Sequence, residues 1–177
     1  QIRGEAVFAK YYKNAEATVE SFVDGWFRTG DRGTQTGDGA YKIVGRLKEQ
    51  FKTTKGKYVA PAPIENLIAR NHFIEQSCVM GSGQPAPVAL VVLSASGLAA
   101  SKEEVEQSLS ATLSALNKEL ESHEKLACFI VMQDAWTIEN GLLTPTMKIK
   151  RGTIEDSFSD LLDKIAKHSV NWQNQLN

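Results

Sequence analysis

"VGRLKEQFKTTKGKYVAPAPIEN", residues 44–66, packs a strand end, a charge run, a tight turn and a helix start into one short segment. Val44 closes an apolar/polar alternation that begins at Tyr41, and period-two alternation reads as a strand. "FKTTKGKYVAP" reads as two short polar-edged strands about a Lys55–Gly56 turn. Pro61 suits the first turn of a helix, where its missing N–H costs nothing. Ile64, Leu67 and Ile68 then fall at i, i+3 and i+4, one buried stripe of a helix over 61–71. Arg46 ends one strand and Lys48 opens the next segment. Arg46 offers a rigid fork of donors to hydroxyls or phosphate, or else the pair belongs to a solvated charge run. Gly56 is either an ordinary turn glycine or a point where backbone must approach a ligand closely.

Upstream, residues 1–9 alternate enough for a strand, and "KNAEATVESF" is a short helix with Asn14 as its N-cap. "DGWFRTGDRG" (24–33) is turn-rich and sets Asp31 among glycines. A carboxylate there can accept two hydrogen bonds from a vicinal diol such as a ribose, or it can cap its own backbone as an Asx turn. "GDGAYKIVGR" (37–46) is a tight turn followed by a strand.

Downstream, "EQSCVMG" and "PVALVVLSA" read as strands joined by "SGQPA". Residues 101–126 form the clearest helix, with Ser101 and Glu104 at capping-box spacing. Val105, Leu109, Leu113, Leu116 and Leu120 supply its apolar face. "ACFIVMQ" is a strand, and "GTIEDSFSDLLDKIAKH" a closing helix with Phe158, Leu161, Leu162 and Ile165 inward. The predicted class is α+β: a small mixed or antiparallel sheet flanked by helices over 47–177, preceded by a β-rich piece over 1–46. "GSGQPA" (81–86) fits a dinucleotide glycine pattern, but that pattern needs a helix to start there and a strand follows instead. It is a connecting turn.

The bulk numbers allow one domain, or one domain plus a piece of another. The 177 residues are 42% hydrophobic and 23% charged, with 20 basic against 21 acidic side chains. That balance lacks the basic excess of a dedicated nucleic-acid binder. No apolar run is long enough to cross a bilayer, and no signal peptide is visible. Cys78 and Cys128 sit in apolar surroundings and read as buried thiols. His72, His123 and His168 show no metal-ligand spacing. These features suit a cytoplasmic protein. The chain opens on "QIRGEAVF" rather than Met, as a piece of a larger protein would.

"NGLLTPTMKIKRG" (140–152) sets Lys148, Lys150 and Arg151 close together. In a strand, Met147 and Ile149 point one way and Lys148 and Lys150 the other. Alternation therefore leaves the two lysines equivalent. Charges of this kind either keep a strand edge from pairing with neighbours or meet an anionic ligand.

Taken together, "DGWFRTGDRG", "DGAYKIVGRLKEQFKTTKGKYVAPAPIEN" and "GLLTPTMKIKRG" resemble the C-terminal part of the adenylate-forming enzymes, over essentially the whole chain. That superfamily includes acyl-CoA synthetases, nonribosomal peptide synthetase adenylation domains and firefly luciferase. "GKYVAPAPIEN" and "LTPTMKIKR" look most like its long-chain fatty acyl-CoA synthetases. Many members carry glycine where this chain has Met147, and Glu where it has Pro63.

The resemblance implies activation of a carboxylic acid with ATP and Mg2+ as acyl-AMP, then transfer to coenzyme A. By the motif match, Asp31 binds the ribose hydroxyls and Arg46 assists at the ribose or phosphate. Lys48 matches the hinge about which a small mobile domain rotates between half-reactions. Lys148 matches the catalytic lysine that reaches the carboxylate and α-phosphate. Gly56 lines the pantetheine channel of CoA, and Lys52 sits where some members place a lysine for the second half-reaction. Lys150 and Arg151 stay solvated charge.

The implied partners are the enzyme's missing N-terminal domain, which carries the phosphate loop and acyl pocket, with fatty acid, ATP and CoA. The isolated fragment is then expected to be inactive. Peripheral membrane contact stays open for the longer protein, and residues 1–46 invite packing or strand exchange with a neighbouring copy. The alternatives are a stand-alone nucleotide- or CoA-binding module without catalysis, and a purely structural domain with charged edges.

Overall fold

The computed structural model describes residues 1–176. The chain forms two compact units, Gln1–Lys48 and Glu49–Asn177. A single 3-10 turn, Leu47–Glu49, spans the junction.

In the first unit, helix α1 (Ala15–Ser21) starts where the Asn14 side chain accepts from the Ala17 N–H at 3.0 Å. Strands β1 (Phe22–Val23) and β2 (Trp26–Phe27) pair antiparallel across Asp24–Gly25. Both turn residues have positive φ, 51° and 76°, as a two-residue hairpin loop of matching twist requires. β3 (Asp31–Gln35) and β4 (Tyr41–Arg46) make a second antiparallel ladder with an irregularity at Arg32/Gly33. Residues 1–9 are not a strand; an isolated bridge from Ile2 to Phe27 is all that forms. Instead Phe8 packs edge-on against Tyr11, Phe22 and Phe27, with ring centroids 4.9–5.6 Å apart. That contact favours a compact wrap over an extended arm. No residue from Gln1 to Lys48 is fully buried.

The second unit is a four-stranded mixed sheet between two helical layers. It begins with the hairpin β5 (Phe51–Lys52) and β6 (Tyr58–Val59), followed by helix α2 (Pro61–Ile68). The sheet comprises β7 (Ile74–Met80), β8 (Val88–Leu93), β9 (Phe129–Val131) and β10 (Val170–Trp172), in the spatial order β10-β9-β8-β7. β7 and β8 are antiparallel, and the other neighbours are parallel. Helices α3 (Ala95–Ala99) and α4 (Lys102–Glu119) lie between β8 and β9, and α5 (Arg151–Leu162) between β9 and β10.

Alternation divides the core. Ala89, Val91 and Leu93 of β8 face one cluster with Val59, Ile64 and Ile68 and the α4 stripe Val105, Leu109, Leu113 and Leu116. Val88, Leu90 and Val92 face the other, with Trp136, Leu142, Leu143, Ile154 and Leu161. A strand buried on both sides must be apolar throughout, which is why "VALVVL" carries no polar residue.

The capping box at Ser101 and Glu104 forms. Its helix, however, stops at Glu119 rather than running to Leu126, because Leu120 turns extended. The closing helix begins at Arg151 and ends at Leu162 rather than running to His168; residues 163–169 form turns and irregular backbone that lead into β10. The 81–86 segment is the turn of the β7–β8 hairpin; a Cβ at Gly81 would stand 2.9 Å from the Pro87 Cα.

Candidate functional site

In the first unit, Asp31 is the first residue of β3, not a turn residue, and its Cα partner across the ladder is Arg46. The Arg46 Nε lies 3.0 Å from an Asp31 carboxylate oxygen, and its Nη1 donates to the Thr29 carbonyl at 3.2 Å. Thr29, not Asp31, makes the local turn: its hydroxyl accepts from the Asp31 N–H at 3.1 Å. The Asp31 carboxylate is thus spared self-capping and held beside a guanidinium at the surface. Lys48 lies exposed in the 3-10 turn.

In the second unit, Gly56 sits at the tip of the β5–β6 hairpin with φ 76°, and its N–H donates to the Thr53 carbonyl at 2.9 Å. The Lys52 stem passes 3.9 Å from where a Gly56 Cβ would be, and its ammonium lies over the Tyr58 ring. The structure thus brings Lys52 and Gly56 together. The hairpin is tied to the β7–β8 turn by Thr54 N–H to Gln84 O (3.0 Å) and Gly83 N–H to Lys52 O (2.9 Å).

Lys148 closes a tight turn that starts at Thr144. The Thr144 N–H donates to the Lys148 carbonyl at 2.8 Å, and the Lys148 N–H to the Thr144 hydroxyl at 3.1 Å. A bridge between Leu143 and Ile149 seals the base, and Leu142 and Leu143 are buried. The segment is therefore a loop on a fixed footing rather than a strand. Met147 takes φ 61°, a left-handed conformation that glycine adopts far more readily than a residue with a side chain. Lys148 is exposed, and among the described residues it makes no ion pair. The two loops hang from opposite layers: Phe51 and Val59 anchor the Gly56 hairpin in one core cluster, and Leu142 and Leu143 anchor the Lys148 turn in the other.

Arg151 overturns the sequence expectation. It is not solvated charge but a half-buried partner of Glu65, with Nη1 and Nη2 donating to the two carboxylate oxygens at 2.8 and 2.9 Å. Nη1 also donates to the Val79 carbonyl at 3.0 Å and meets the Cys78 Sγ at 3.3 Å. Burial alone lowers the Arg151 pKa, but the hydrogen bonds and charge of Glu65 outweigh it and hold the value above the ordinary one. The sequence did carry a signal. A cation at the first position of a helix opposes the macrodipole and needs a partner. Lys150 is exposed, as expected.

Cys78 and Cys128 are buried free thiols, pushed up by burial to about 12 and about 11. No helix among the described residues is long and apolar enough to cross a membrane.

A family model, AMP-binding enzyme C-terminal domain, matches residues 48–169. Long-chain-fatty-acid–CoA ligase FadD15 of Mycobacterium tuberculosis is 32% identical over 93% of this chain, which corresponds to 30% of that protein. Long-chain-fatty-acid–CoA ligase 5 of Mus musculus is 38% identical over 85% of this chain and 25% of its own length. The chain thus spans about a third or less of the curated relatives it matches. Among solved structures, the adenylation domain of a carboxylate reductase from Mycobacterium chelonae aligns with a TM-score of 0.77 at 29% identity, over 90% of this chain and 26% of that one. The corresponding domain from Segniliparus rugosus, in complex with AMP and a co-purified carboxylic acid, aligns at 0.74 and 30% identity, over 87% of this chain and 25% of that one. With the model spanning most of the second unit and the relatives extending across both, the chain belongs to the AMP-binding enzyme C-terminal domain family.

Proposed function

We propose that this chain is the C-terminal portion of an AMP-forming long-chain-fatty-acid–CoA ligase, with residues 1–46 completing the large N-terminal domain and 47–177 acting as the mobile domain. The observation that carries the reading is Lys148: an exposed ammonium with no ion-pair partner among the described residues, on a turn footed in the core. The named relatives support the substrate class.

In the first half-reaction a fatty-acid carboxylate oxygen attacks the α-phosphorus of ATP. An O–P bond forms, the bond to pyrophosphate breaks, and acyl-AMP results. Negative charge gathers on the non-bridging oxygens, where Lys148 stabilises it. One such preorganised donor is worth ~3–4 kcal/mol, or ~10²–10³ in rate. Asp31 accepts from the ribose hydroxyls while Arg46 steadies its carboxylate and faces the phosphate side. In the second half-reaction the CoA thiolate attacks the acyl carbonyl and AMP leaves. Here rotation about Lys48 withdraws Lys148 and brings the Gly56 hairpin, with Lys52 beside it, to the pantetheine. Anchoring the two loops in opposite layers suits a domain that presents one loop at a time.

Mg2+ would enter with the nucleotide substrate, bound to its phosphates. We place the enzyme in the cytoplasm, where two buried thiols suit a reducing compartment.

The test is Lys148→Ala in the full-length enzyme. Adenylation, followed by pyrophosphate release, should fall ~100-fold or more, while thioester formation from pre-made acyl-AMP and CoA holds. Equal loss in both half-reactions refutes the assignment. The 177-residue chain alone should form no acyl-CoA.

A further inference from the structure

β7 is an edge strand of the mixed sheet. Edge strands leave backbone donors and acceptors unpaired, and natural proteins cover them. At Val79 the cover is an ion pair: the Val79 N–H donates to Glu65 Oε1 at 2.7 Å, and its carbonyl accepts from Arg151 Nη1 at 3.0 Å. The same two side chains close a bidentate pair with each other. Glu65 comes from α2, whose Ile64 and Ile68 lie in one core cluster. Arg151 comes from the first position of α5, whose Ile154 lies in the other. The pair therefore ties the two layers together around the sheet edge.

Only Ile149 and Lys150 separate Arg151 from Lys148, so the Lys148 Cα lies within about 11 Å of the Arg151 Cα. On its other side the turn is held by the Leu143–Ile149 bridge and by Lys150 N–H to Leu142 O at 2.9 Å. We propose that Arg151, through Glu65, is a positioning residue for Lys148. It fixes the C-terminal foot of the catalytic turn to the sheet edge and so sets where the ammonium stands. The inference rests on the assignment of Lys148 above. The Gly56 hairpin has its own ties, through Thr54 and Gly83, to the β7–β8 turn. Loss of the ion pair should therefore loosen one loop and not the other.

The experiment uses the full-length enzyme with Lys148→Ala, Arg151→Lys and the double variant Glu65→Leu with Arg151→Met. Lysine keeps the charge but lacks the bidentate fork. The apolar pair removes the geometry without leaving one charge buried alone. It also leaves the Val79 N–H and carbonyl without these partners, so the melting temperature of each variant is read beside its kinetics. Both clamp variants should lose ~10–100-fold in adenylation kcat, as a misplaced catalytic group does. The KM for ATP and the thioester half-reaction from acyl-AMP should stay within about two-fold of the parent.

Wild-type adenylation in the double variant overturns the proposal. So does an equal loss in both half-reactions, or failure of both clamp variants to fold, since the pair is then a stability element. The two readings separate cleanly. If Lys148→Ala disables adenylation and the clamp variants do not, this inference alone fails. If Lys148→Ala leaves adenylation intact, the underlying assignment fails with it.

Discussion

Asp31 and Arg46 face each other across the β3–β4 ladder, with the Arg46 Nε 3.0 Å from one Asp31 carboxylate oxygen. Arg46 keeps 59% of its side-chain surface exposed and Asp31 26%. An ion pair so open to water contributes no more than ~1 kcal/mol to stability. Its effect is on orientation: the guanidinium holds one carboxylate oxygen and leaves the second outside the ion pair, where the proposed function has it accept from the ribose. Asp31→Ala and Arg46→Ala should therefore melt close to the parent in the 177-residue chain. In the full-length enzyme each should raise the KM for ATP ~10-fold or more, the typical effect of losing one charged hydrogen bond. An unchanged KM in both would remove the pair from the nucleotide site.

Met147 holds φ 61° at the tip of the Lys148 turn. A non-glycine residue in the left-handed region costs about 1 kcal/mol or more, and a β-branched one costs more again. Met147→Gly should raise the melting temperature or leave it unchanged, because relief of strain offsets the extra freedom of the unfolded chain. Met147→Val should lower it by more than 1 kcal/mol equivalent, or about 2–4 °C. If valine melts above glycine, the turn does not need its left-handed residue.

The β8 strand, the α4 capping box and the start of α2 at Pro61 were legible because each rests on local chemistry. A doubly buried strand is uniformly apolar, a cap has fixed spacing, and proline fits only the first turn. Strand β10 was not legible. Val170–Trp172 is three residues long and carries no periodicity; it pairs only because β9 already presents an open edge. The Asp31–Arg46 pair joined two motifs whose residues lie 15 apart, and each motif alone was ambiguous. Arg151 was misread for a simple reason. Its partner Glu65 is 86 residues away, so spacing carries no trace of the contact. Only the misfit of a cation at a helix start hinted at it.

Glu155 gives a test by pH. Burial raises its carboxyl pKa above the ordinary 4.5, against the lowering charge of Arg151 and with a further rise from Asp156. A raised carboxyl pKa means the fold prefers the neutral form. That preference stabilises fully below the unfolded value near 4.5 and is lost as pH rises through the folded value. At neutral pH the ionised Glu155 is therefore a cost. Glu155→Gln should melt above the parent at about pH 7, and the two curves should converge near pH 4. A glutamine variant less stable at pH 7 would mean that attraction to Arg151 outweighs burial.

Lys48 lies inside the 3-10 turn Leu47–Glu49, at the junction of the two compact units. Proline there acts twice. It fixes φ at its own position, and it pushes the preceding residue, Leu47, out of the helical region toward extended backbone. The turn would therefore be replaced by a different, stiffer conformation. If the domain rotates about Lys48 between half-reactions, Lys48→Pro in the full-length enzyme should trap one pose. One half-reaction should then fall by ten-fold or more while the other stays near the parent rate, since loop and domain closures limit turnover in many enzymes. Lys48→Ala should leave both nearly intact, because the hinge needs backbone freedom and not the ammonium. Parent rates for the proline variant in both half-reactions would dismiss the hinge. A loss in the alanine variant equal to that in proline would instead give the ammonium a direct role.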